Sequence, residues 1–244
     1  MTVDTVVAAI PVQGLILAFV PAVIVIGIIF RWAAGTQTAM YATLRMLIQL
    51  LLIGYVLTYI FKTDQPELII AVLLFMLVVA SWIAIRPLQD KQPRSYFNAL
   101  GAISVGGILT LALVSQAVLS IQPWFSPRYL VPLAGMIFAG SMNAVSLAAE
   151  RLQAEHSRGT SYIAARRIAL QAALIPITNS LFAVGLVSLP GMMTGQILSG
   201  VSPLVAAKYQ IVVMTMLFGA SGISAALYLV LAKRTSASVE HETS

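Results

Sequence analysis

Cysteine is absent from this sequence, and charged side chains are scarce. None of the 244 residues is a cysteine, which excludes disulfides, thiolate metal sites and cysteine nucleophiles. Charged residues make up 9% of the chain, whereas a soluble domain of ordinary composition has about 25%. A chain with so few charges and 59% hydrophobic residues is expected to use lipid as its solvent.

The residue patterns of catalytic and metal sites are missing as well. Both histidines, His156 and His241, lie in polar segments, and no acidic residue lies deep inside an apolar run. The chain has no P-loop for phosphates, no His-Glu-x-x-His pair and no Gly-x-Ser-x-Gly elbow. We therefore expect no catalytic residue, no metal site and no bound cofactor in this chain. Energy for any active transport would come either from ATP hydrolysed by a separate partner subunit or from an ion gradient.

Long apolar runs are what the sequence does contain, and its mean hydropathy is +0.94. A helix needs about 20 apolar residues to cross a bilayer, and continuous runs rich in Leu, Ile, Val and Ala favour helices over barrel strands. The sequence therefore predicts an all-α, polytopic transmembrane helical bundle of about seven spans. A single transmembrane domain would cover residues 1–235, followed by a short, disordered cytoplasmic tail at 236–244. The runs are Ala9–Phe30, Tyr41–Phe61, Leu68–Ile85, Phe97–Ile121, Tyr129–Ala149, Ile168–Leu189 and Tyr209–Ala232.

The distribution of basic residues predicts the orientation of these spans. Eleven of the 14 lysines and arginines fall on one side, and only Lys62, Arg128 and Lys208 fall on the other. The positive-inside rule then places the N-terminus outside and the C-terminus in the cytoplasm. We assign the net charge of +6 to topology and lipid headgroups, and expect no nucleic-acid partner. Because Asp4 is the only charge near the start, the first run is expected to stay as a helix rather than be cleaved as a signal.

One segment does not fit a simple crossing. No charged residue occurs from Ile168 to Ala207, a stretch of about 40 positions and roughly twice what one span requires. The residues beyond one span are Gly185–Gly200, GLVSLPGMMTGQILSG. This part contains a proline and several glycines, which interrupt regular helix. Broken backbone at membrane depth is tolerated only where protein or a watery cavity surrounds it. The segment is therefore either a re-entrant or outer-face gating element or an apolar external loop, since an eighth crossing would move Lys233 outside.

Polar side chains inside the runs are candidate functional residues, because they are costly in hydrocarbon. Arg45 and Gln49 share a helix face, either as a cytoplasmic gate with Tyr55 or with Arg45 reaching back to the interface. Asn143 lies among small residues and serves either packing or the substrate path. A second polar group, Asn179 and Ser180, follows the helix-kinking Pro176. The complete predicted substrate pathway is Arg45, Gln49, Tyr55, Asn143, Asn179, Ser180, Ser188, Pro190, Gly191, Met192, Met193, Thr194, Gly195 and Gln196.

The most charged stretch of the chain is Glu150–Arg167, between the fifth and sixth runs. It is either a docking surface for a soluble partner or an ordinary solvated loop. As a dock, it would use Glu150, Arg151, Arg158, Gly159, Thr160, Arg166 and Arg167.

Three stretches, Arg45–Phe61, Gly135–Leu152 and Ala172–Gln210, resemble the UPF0014, or FetB-type, ABC transporter permease family. This family includes a bacterial iron-export permease and plant aluminium-tolerance half-transporters. The resemblance covers most of the chain from the second run onward, and the Gly185–Gly200 run is its most specific part. The matching positions are Arg45, Gln49, Gly54, Tyr55, Asn143, Pro176, Gly185, Leu186, Ser188, Pro190, Gly191, Met192, Met193, Gly195 and Gly200.

The resemblance implies a multi-pass permease of the bacterial plasma (inner) membrane. It also implies a homodimer of permeases that pairs with separate cytoplasmic ABC ATPase subunits. Bacterial members are linked to iron efflux and oxidative-stress resistance, and plant members to a nucleotide sugar. The leading hypothesis is therefore a subunit that exports iron or another metal ion. The alternatives are an ATPase-independent secondary transporter or channel, which the lack of an intramembrane carboxylate disfavours, and a non-transporting scaffold.

This chain departs from the family in one place. Relatives have a longer cytoplasmic segment between the fifth and sixth spans, where only Arg158–Thr160, RGT, remains here. The family's ATPase is expected to dock at that segment. Two further alternatives follow. The ATPase couples to this chain through another loop, Arg86–Tyr96, or the chain has lost its ATPase.

Overall fold

A computed structural model describes residues 10–32, 35–63, 65–89 and 92–242, with side chains described as far as residue 233. Ala9, where the first run was expected to begin, and the acidic Asp4 lie outside these ranges. The chain divides into two compact units, Met1–Thr63 and Asp64–Ser244, where the sequence suggested one domain.

The first unit contains three helices, α1 (Val12–Ala18), α2 (Val20–Trp32) and α3 (Thr36–Ile60), of which α2 packs against α1 and α3. The first apolar run is broken at Phe19, whose N–H donates to the carbonyl of Ile16 at 3.1 Å. Pro21 explains the break, because proline has no N–H to continue the hydrogen-bond ladder back to Leu17.

The second unit begins with α4 (Pro66–Ala84) and α5 (Pro93–Ala112), which continues as a π-helix over Leu113–Val118. Most of its helices start at a proline, which has a helical φ angle and lacks the N–H that a first turn leaves unpaired. Within the described ranges no strand forms, and the all-α prediction is confirmed. The remaining helices are α6 (Pro127–Ser157), α7 (Tyr162–Ala183), α8 (Gly191–Leu198) and α9 (Pro203–Glu242).

Six segments of the described chain are long and apolar enough to cross a membrane: α1 with α2, then α3, α4, α5 with the π-helix, α6 and α9. The seventh predicted span, α7, has 22 residues but carries two arginines, Arg166 and Arg167, and two amides, Gln171 and Asn179. An eighth crossing is excluded at α8, because its eight residues extend only about 12 Å against a hydrocarbon thickness of about 30 Å. The count of seven spans and the orientation of the termini stay predictions.

The C-terminal segment behaves differently from the sequence expectation. Residues 236–242, predicted as a disordered tail, continue the backbone of α9 to Glu242.

The second unit is organised around α9, which packs against α5, α6, α7 and α8. Small residues allow these close approaches. A Cβ atom on Gly106 of α5 would collide with the Ser224 hydroxyl and lie 3.0 Å from the Ser224 backbone nitrogen. A Cβ atom on Gly140 of α6 would lie 3.1 Å from the hydroxyl of Ser221. Toward the other end of α6, the three-helix core is mostly alanine: Ala144, Ala148, Ala169, Ala173, Ala225 and Leu229.

The close contact at Gly106 gives a stability prediction. Gly106→Ala is expected to lower the free energy of unfolding by about 1–3 kcal/mol, because the new methyl group overpacks the α5–α9 contact. Gly219→Ala on α9 is the matched control, since its Cβ would meet no atom within 4 Å. Thermal unfolding in detergent, followed by tryptophan fluorescence, would show a lower midpoint for Gly106→Ala only. Equal midpoints for the two variants would contradict the close contact.

Candidate substrate pathway

A polar groove of about 170 Å³ lies between the middle parts of α6, α7 and α9. Each helix contributes one polar side chain: Asn143 from α6, Ser180 from α7 and Ser221 from α9. We call this feature the central groove. Its other lining residues are Gly140, Ala144, Leu147, Ala173, Pro176, Ile177 and Leu217.

The position of Asn143 along α6 places the central groove at middle depth. Arg128 near the start of the helix is about 22 Å away, and Glu155 near its end is about 18 Å away, at 1.5 Å per residue. Within the described part of the second unit, the Asn143 side chain is exposed and makes no hydrogen bond. An amide at this depth requires a polar partner, because an unpaired polar group in hydrocarbon costs several kcal/mol, of the order of 4–8. Water or a ligand in the groove would supply that partner.

Two local features shape the α7 wall of the central groove. Pro176 lies inside the helix and has no N–H for the carbonyl of Ala172. The hydroxyl of Ser180 donates to the Pro176 carbonyl at 2.9 Å, which leaves its oxygen lone pairs as acceptors. Asn179, which was predicted beside Ser180 as a pathway residue, is not among the residues that line the groove.

The segment Gly185–Gly200 forms a tight turn, the short helix α8 and a second turn. Gly185 has φ +84° and donates its N–H to the Ser188 carbonyl at 2.9 Å. At the end of α8, Gly200 has φ +89° and its N–H reaches the Ile197 carbonyl at 3.0 Å. The next N–H, of Val201, reaches the Gln196 carbonyl at 3.0 Å, which completes a Schellman cap. Glycine is required at these two positions because other residues rarely adopt a left-handed backbone.

A second cavity of about 380 Å³ lies where α8 meets the starts of α6 and α9. Its polar and thioether lining comes from Arg128, Tyr129, Met192, Gln196 and Tyr209. We call it the outer cavity, because the predicted orientation puts this end outside. Its other lining residues are Leu119, Pro132, Leu133, Met136, Val201, Val205, Val212 and Val213.

The remaining predicted residues of this segment do not line either cavity. Thr194 donates to the carbonyls of Leu189 and Pro190 at 3.4 and 3.2 Å, and Pro190 caps the start of α8. A Cβ atom on Gly191 or Gly195 would meet nothing within 4 Å. The other two predicted residues, Ser188 and Met193, are likewise outside both linings.

The predicted Arg45–Gln49 pair forms within the first unit. With the Gln49 amide turned so that its oxygen faces Arg45, it accepts from Nε at 3.0 Å and from Nη2 at 3.3 Å. Tyr55, on the same helix, is 82% exposed. Of the 14 predicted pathway residues, three lie on α3, two line the central groove, two line the outer cavity and seven line neither cavity.

The loop between α6 and α7 is built around Glu155, which is only 5% exposed. Its carboxylate accepts from Arg151 at 2.7 Å, from Arg158 at 3.3 Å and from the hydroxyl of Thr160 at 3.0 Å. Gly159, with φ +76°, allows the chain to turn back, and Thr160 donates its N–H to the Glu155 carbonyl at 3.2 Å. Three of the predicted docking residues therefore hold a compact loop through a carboxylate that sequence reasoning missed.

The start of α7 is tied to α9 beside this loop. The hydroxyl of Tyr162 donates to the Leu229 carbonyl at 2.7 Å. The cationic groups of Arg166 and Lys233 lie 5.7 and 5.3 Å from the centre of the Tyr162 ring. These contacts join the two helices at the end where basic residues predict the cytoplasm.

Other residues at this end are exposed. Arg167 lines a shallow groove on α7 with Ile163, which is 72% exposed. Gln89, in the alternative coupling loop, donates its N–H to Gln153 of α6 at 3.2 Å. The predicted Glu150 is exposed. Both predicted coupling loops therefore lie at the same end of α6.

Sequence patterns could have indicated some of these site residues but not others. Glu155 has arginines four residues before and three after it, the spacing of helical ion pairs. Ser221 lies in a stretch of small residues on α9, the composition typical of packed membrane helices. No pattern pointed to Arg128, Tyr129 and Tyr209, which come together only through the tertiary fold.

Comparison with known proteins identifies the same family as the sequence resemblance. The family described as "Uncharacterised protein family (UPF0014)" matches residues 12–236, which extends the resemblance back to the first span. A relative from Synechocystis, "UPF0014 membrane protein slr1647", is 38% identical over 200 residues, covering 75% of this chain and 73% of its own. The "Probable iron export permease protein FetB" of Escherichia coli is 35% identical over 213 residues, 81% of each chain.

A plant protein is similar to a comparable extent. The Arabidopsis thaliana "Protein ALUMINUM SENSITIVE 3" is 34% identical over 199 residues, 75% of this chain and 71% of its own. No solved structure matches.

The central groove can be tested directly, because the chain has no native cysteine. Ser180→Cys is expected to react rapidly with a charged, water-soluble methanethiosulfonate in proteoliposomes, since only a hydrated thiol forms the thiolate. Phe182→Cys, on the same helix and exposed but outside the groove lining, should react slowly. The same holds for Ala169→Cys in the buried core. Equal labelling of Ser180→Cys and Phe182→Cys would rule out a hydrated groove.

Proposed function

Because this chain belongs to the UPF0014 family, we propose that it is the membrane-spanning permease subunit of an ABC-type transporter. Its substrate would be iron or another metal ion, exported with energy from a separate ATPase chain. The name of the E. coli relative, an iron export permease, supports iron as the substrate. The similarity to that relative covers 81% of each chain. The proposal places the chain in the bacterial plasma membrane, as a homodimer of permeases with cytoplasmic ATPases.

The observation that carries this proposal is the central groove at middle depth. Its polar lining consists of one amide and two hydroxyls, all neutral oxygen-bearing groups. Oxygen atoms are the ligands that hard cations prefer, and neutral oxygens hold a cation less tightly than carboxylates do. Transport requires binding that is strong enough for entry and weak enough for release. Within the described residues, no group of three or more His, Cys, Asp or Glu side chains is placed to hold a metal ion.

The compact loop around Glu155 supplies a route for coupling. The loop leads directly into α7, whose start is tied to α9 by the Tyr162–Leu229 hydrogen bond. Ser180 lies about 27 Å farther along α7, at the central groove. A partner that pushes on the loop would therefore move α7 and α9 against α6. That motion would shift the groove between inward-open and outward-open states, as two-state transport requires.

The absence of a phosphate loop in the sequence agrees with a separate ATPase. The docking surface that we propose includes Ile163 and Arg167 on α7. An apolar side chain that is 72% exposed beside a charged loop is well placed to insert into a partner. Arg167 would add a charged contact at the rim.

If Ile163 contacts the ATPase, the Ile163→Ala variant should no longer co-purify with it. After mild-detergent purification of the full chain from its host, the wild type is expected to carry a stoichiometric ABC ATPase. Ile163→Ala should retain at most about one tenth of it, because truncating an anchor residue costs about 2 kcal/mol or more. Ile175→Ala is the matched control: it changes the same residue type on the same helix, also exposed, but about 18 Å away.

The same preparations test the proposed activity. Added iron should raise ATP hydrolysis by the wild type and the Ile175→Ala variant, and not by Ile163→Ala. If no ATPase elutes with the wild type in repeated preparations, the ABC proposal fails and an ATPase-independent channel becomes the better account.

A further inference from the structure

The outer cavity is a site in its own right, separate from the central groove. Along α6, Arg128 in the outer cavity is about 18 Å from Gly140 in the central groove. It is also about 40 Å from Glu155 at the other end of the helix, whereas the hydrocarbon layer is about 30 Å thick. Arg128 and Glu155 therefore lie near opposite membrane surfaces. The outer cavity is at the depth of lipid headgroups.

Charge in the outer cavity favours an anion. Arg128 is its only charged lining residue, and none of the described residues that line it is acidic. Arg128 forms no ion pair with any side chain in the described ranges. Tyr129 and Tyr209 also line the cavity, and each carries a phenol that can donate a hydrogen bond. Because arginine and hydroxyl donors match phosphate oxygens, the lining suits a phosphate group and repels a bare metal cation.

Gln196 adds a second requirement for the ligand. Its side-chain oxygen is fully buried and accepts no hydrogen bond from any described residue. A buried carbonyl oxygen without a donor costs about 1–3 kcal/mol. Because Gln196 lines the cavity, a rotation of its amide toward the cavity would let a donor on a bound molecule relieve that penalty. The ligand should therefore carry a hydroxyl or an ammonium group beside its phosphate.

The rest of the outer cavity is apolar. Leucine, valine, proline and methionine side chains from α6 and α9 form most of its wall, and its volume of about 380 Å³ is in the range of small-ligand pockets. Val205, at the start of α9, is 45% exposed and leads from the cavity to the outer face of the helix. An acyl chain could leave along this face.

We propose that the outer cavity binds the headgroup of a phospholipid whose phosphate contacts Arg128 and whose hydroxyl or ammonium group donates to Gln196. Phosphatidylethanolamine and phosphatidylglycerol have both groups, whereas the choline headgroup has no donor. Basic pockets between membrane helices are known to hold phosphate-bearing lipid headgroups. This assignment does not depend on the transported substrate, and its test does not measure transport.

Native mass spectrometry of the purified full chain tests the phosphate contact. The wild type is expected to retain phosphatidylethanolamine or phosphatidylglycerol through delipidation, and Arg128→Gln to retain at least tenfold less. Lys208→Gln is the matched control, since Lys208 is an exposed cation on the same side of the membrane and does not line the cavity. Equal lipid retention by the two variants, with unchanged thermal unfolding, would overturn the proposal.

Two further comparisons test the headgroup and the source of the phosphate. The wild type should prefer phosphatidylethanolamine over phosphatidylcholine by about tenfold, and Gln196→Leu should lose that preference while still binding both lipids. Equal binding of the two lipids by the wild type would contradict the contact with Gln196. Soluble glycerophosphoethanolamine should bind far more weakly than the lipid. If it binds as well, the ligand is a free phosphodiester and the lipid assignment is wrong.

Discussion

The close approach of α9 to α5 and α6 is the contact on which the rest of the second unit depends. Gly106 and Gly140 have no side chain, so Ser224 and Ser221 can lie directly against their backbones. Membrane helices gain little from the hydrophobic effect between one another, and close packing of small residues is what holds them together. Because α9 occupies the middle of the unit, α7 and α8 can pack on its other sides.

Both cavities follow from this arrangement. The central groove forms where α7 leaves the alanine-rich core, because Pro176 breaks the regular hydrogen-bond ladder and Ser180 replaces apolar packing with a hydroxyl. The outer cavity forms where the chain turns at two glycines and α8 packs across the start of α9. One helix thus borders a neutral, oxygen-lined groove at middle depth and a positively charged cavity near the membrane surface. That difference would separate the proposed path for a cation from the proposed site for a phosphate.

The amino-acid sequence predicts the helices well, because a span of about 20 apolar residues leaves the backbone no other way to satisfy its hydrogen bonds. It also indicated Asn143 and Ser180, since polar groups in apolar runs stand out. Hydropathy could not reveal the π-helix after α5 or the assembly of Arg128 with Gln196. Those features depend on single hydrogen bonds and on contacts between distant segments, which a pattern along the chain does not record.

ATP-dependent iron uptake into everted membrane vesicles that contain the chain and its ATPase tests the central claim most directly. Asn143→Ala and Asn179→Ala form the decisive pair, because both remove an exposed amide near middle depth but only Asn143 lines the central groove. The account predicts uptake that requires ATP, falls at least tenfold in Asn143→Ala and is unchanged in Asn179→Ala. Uptake without ATP, or an equal effect of the two substitutions, would contradict it.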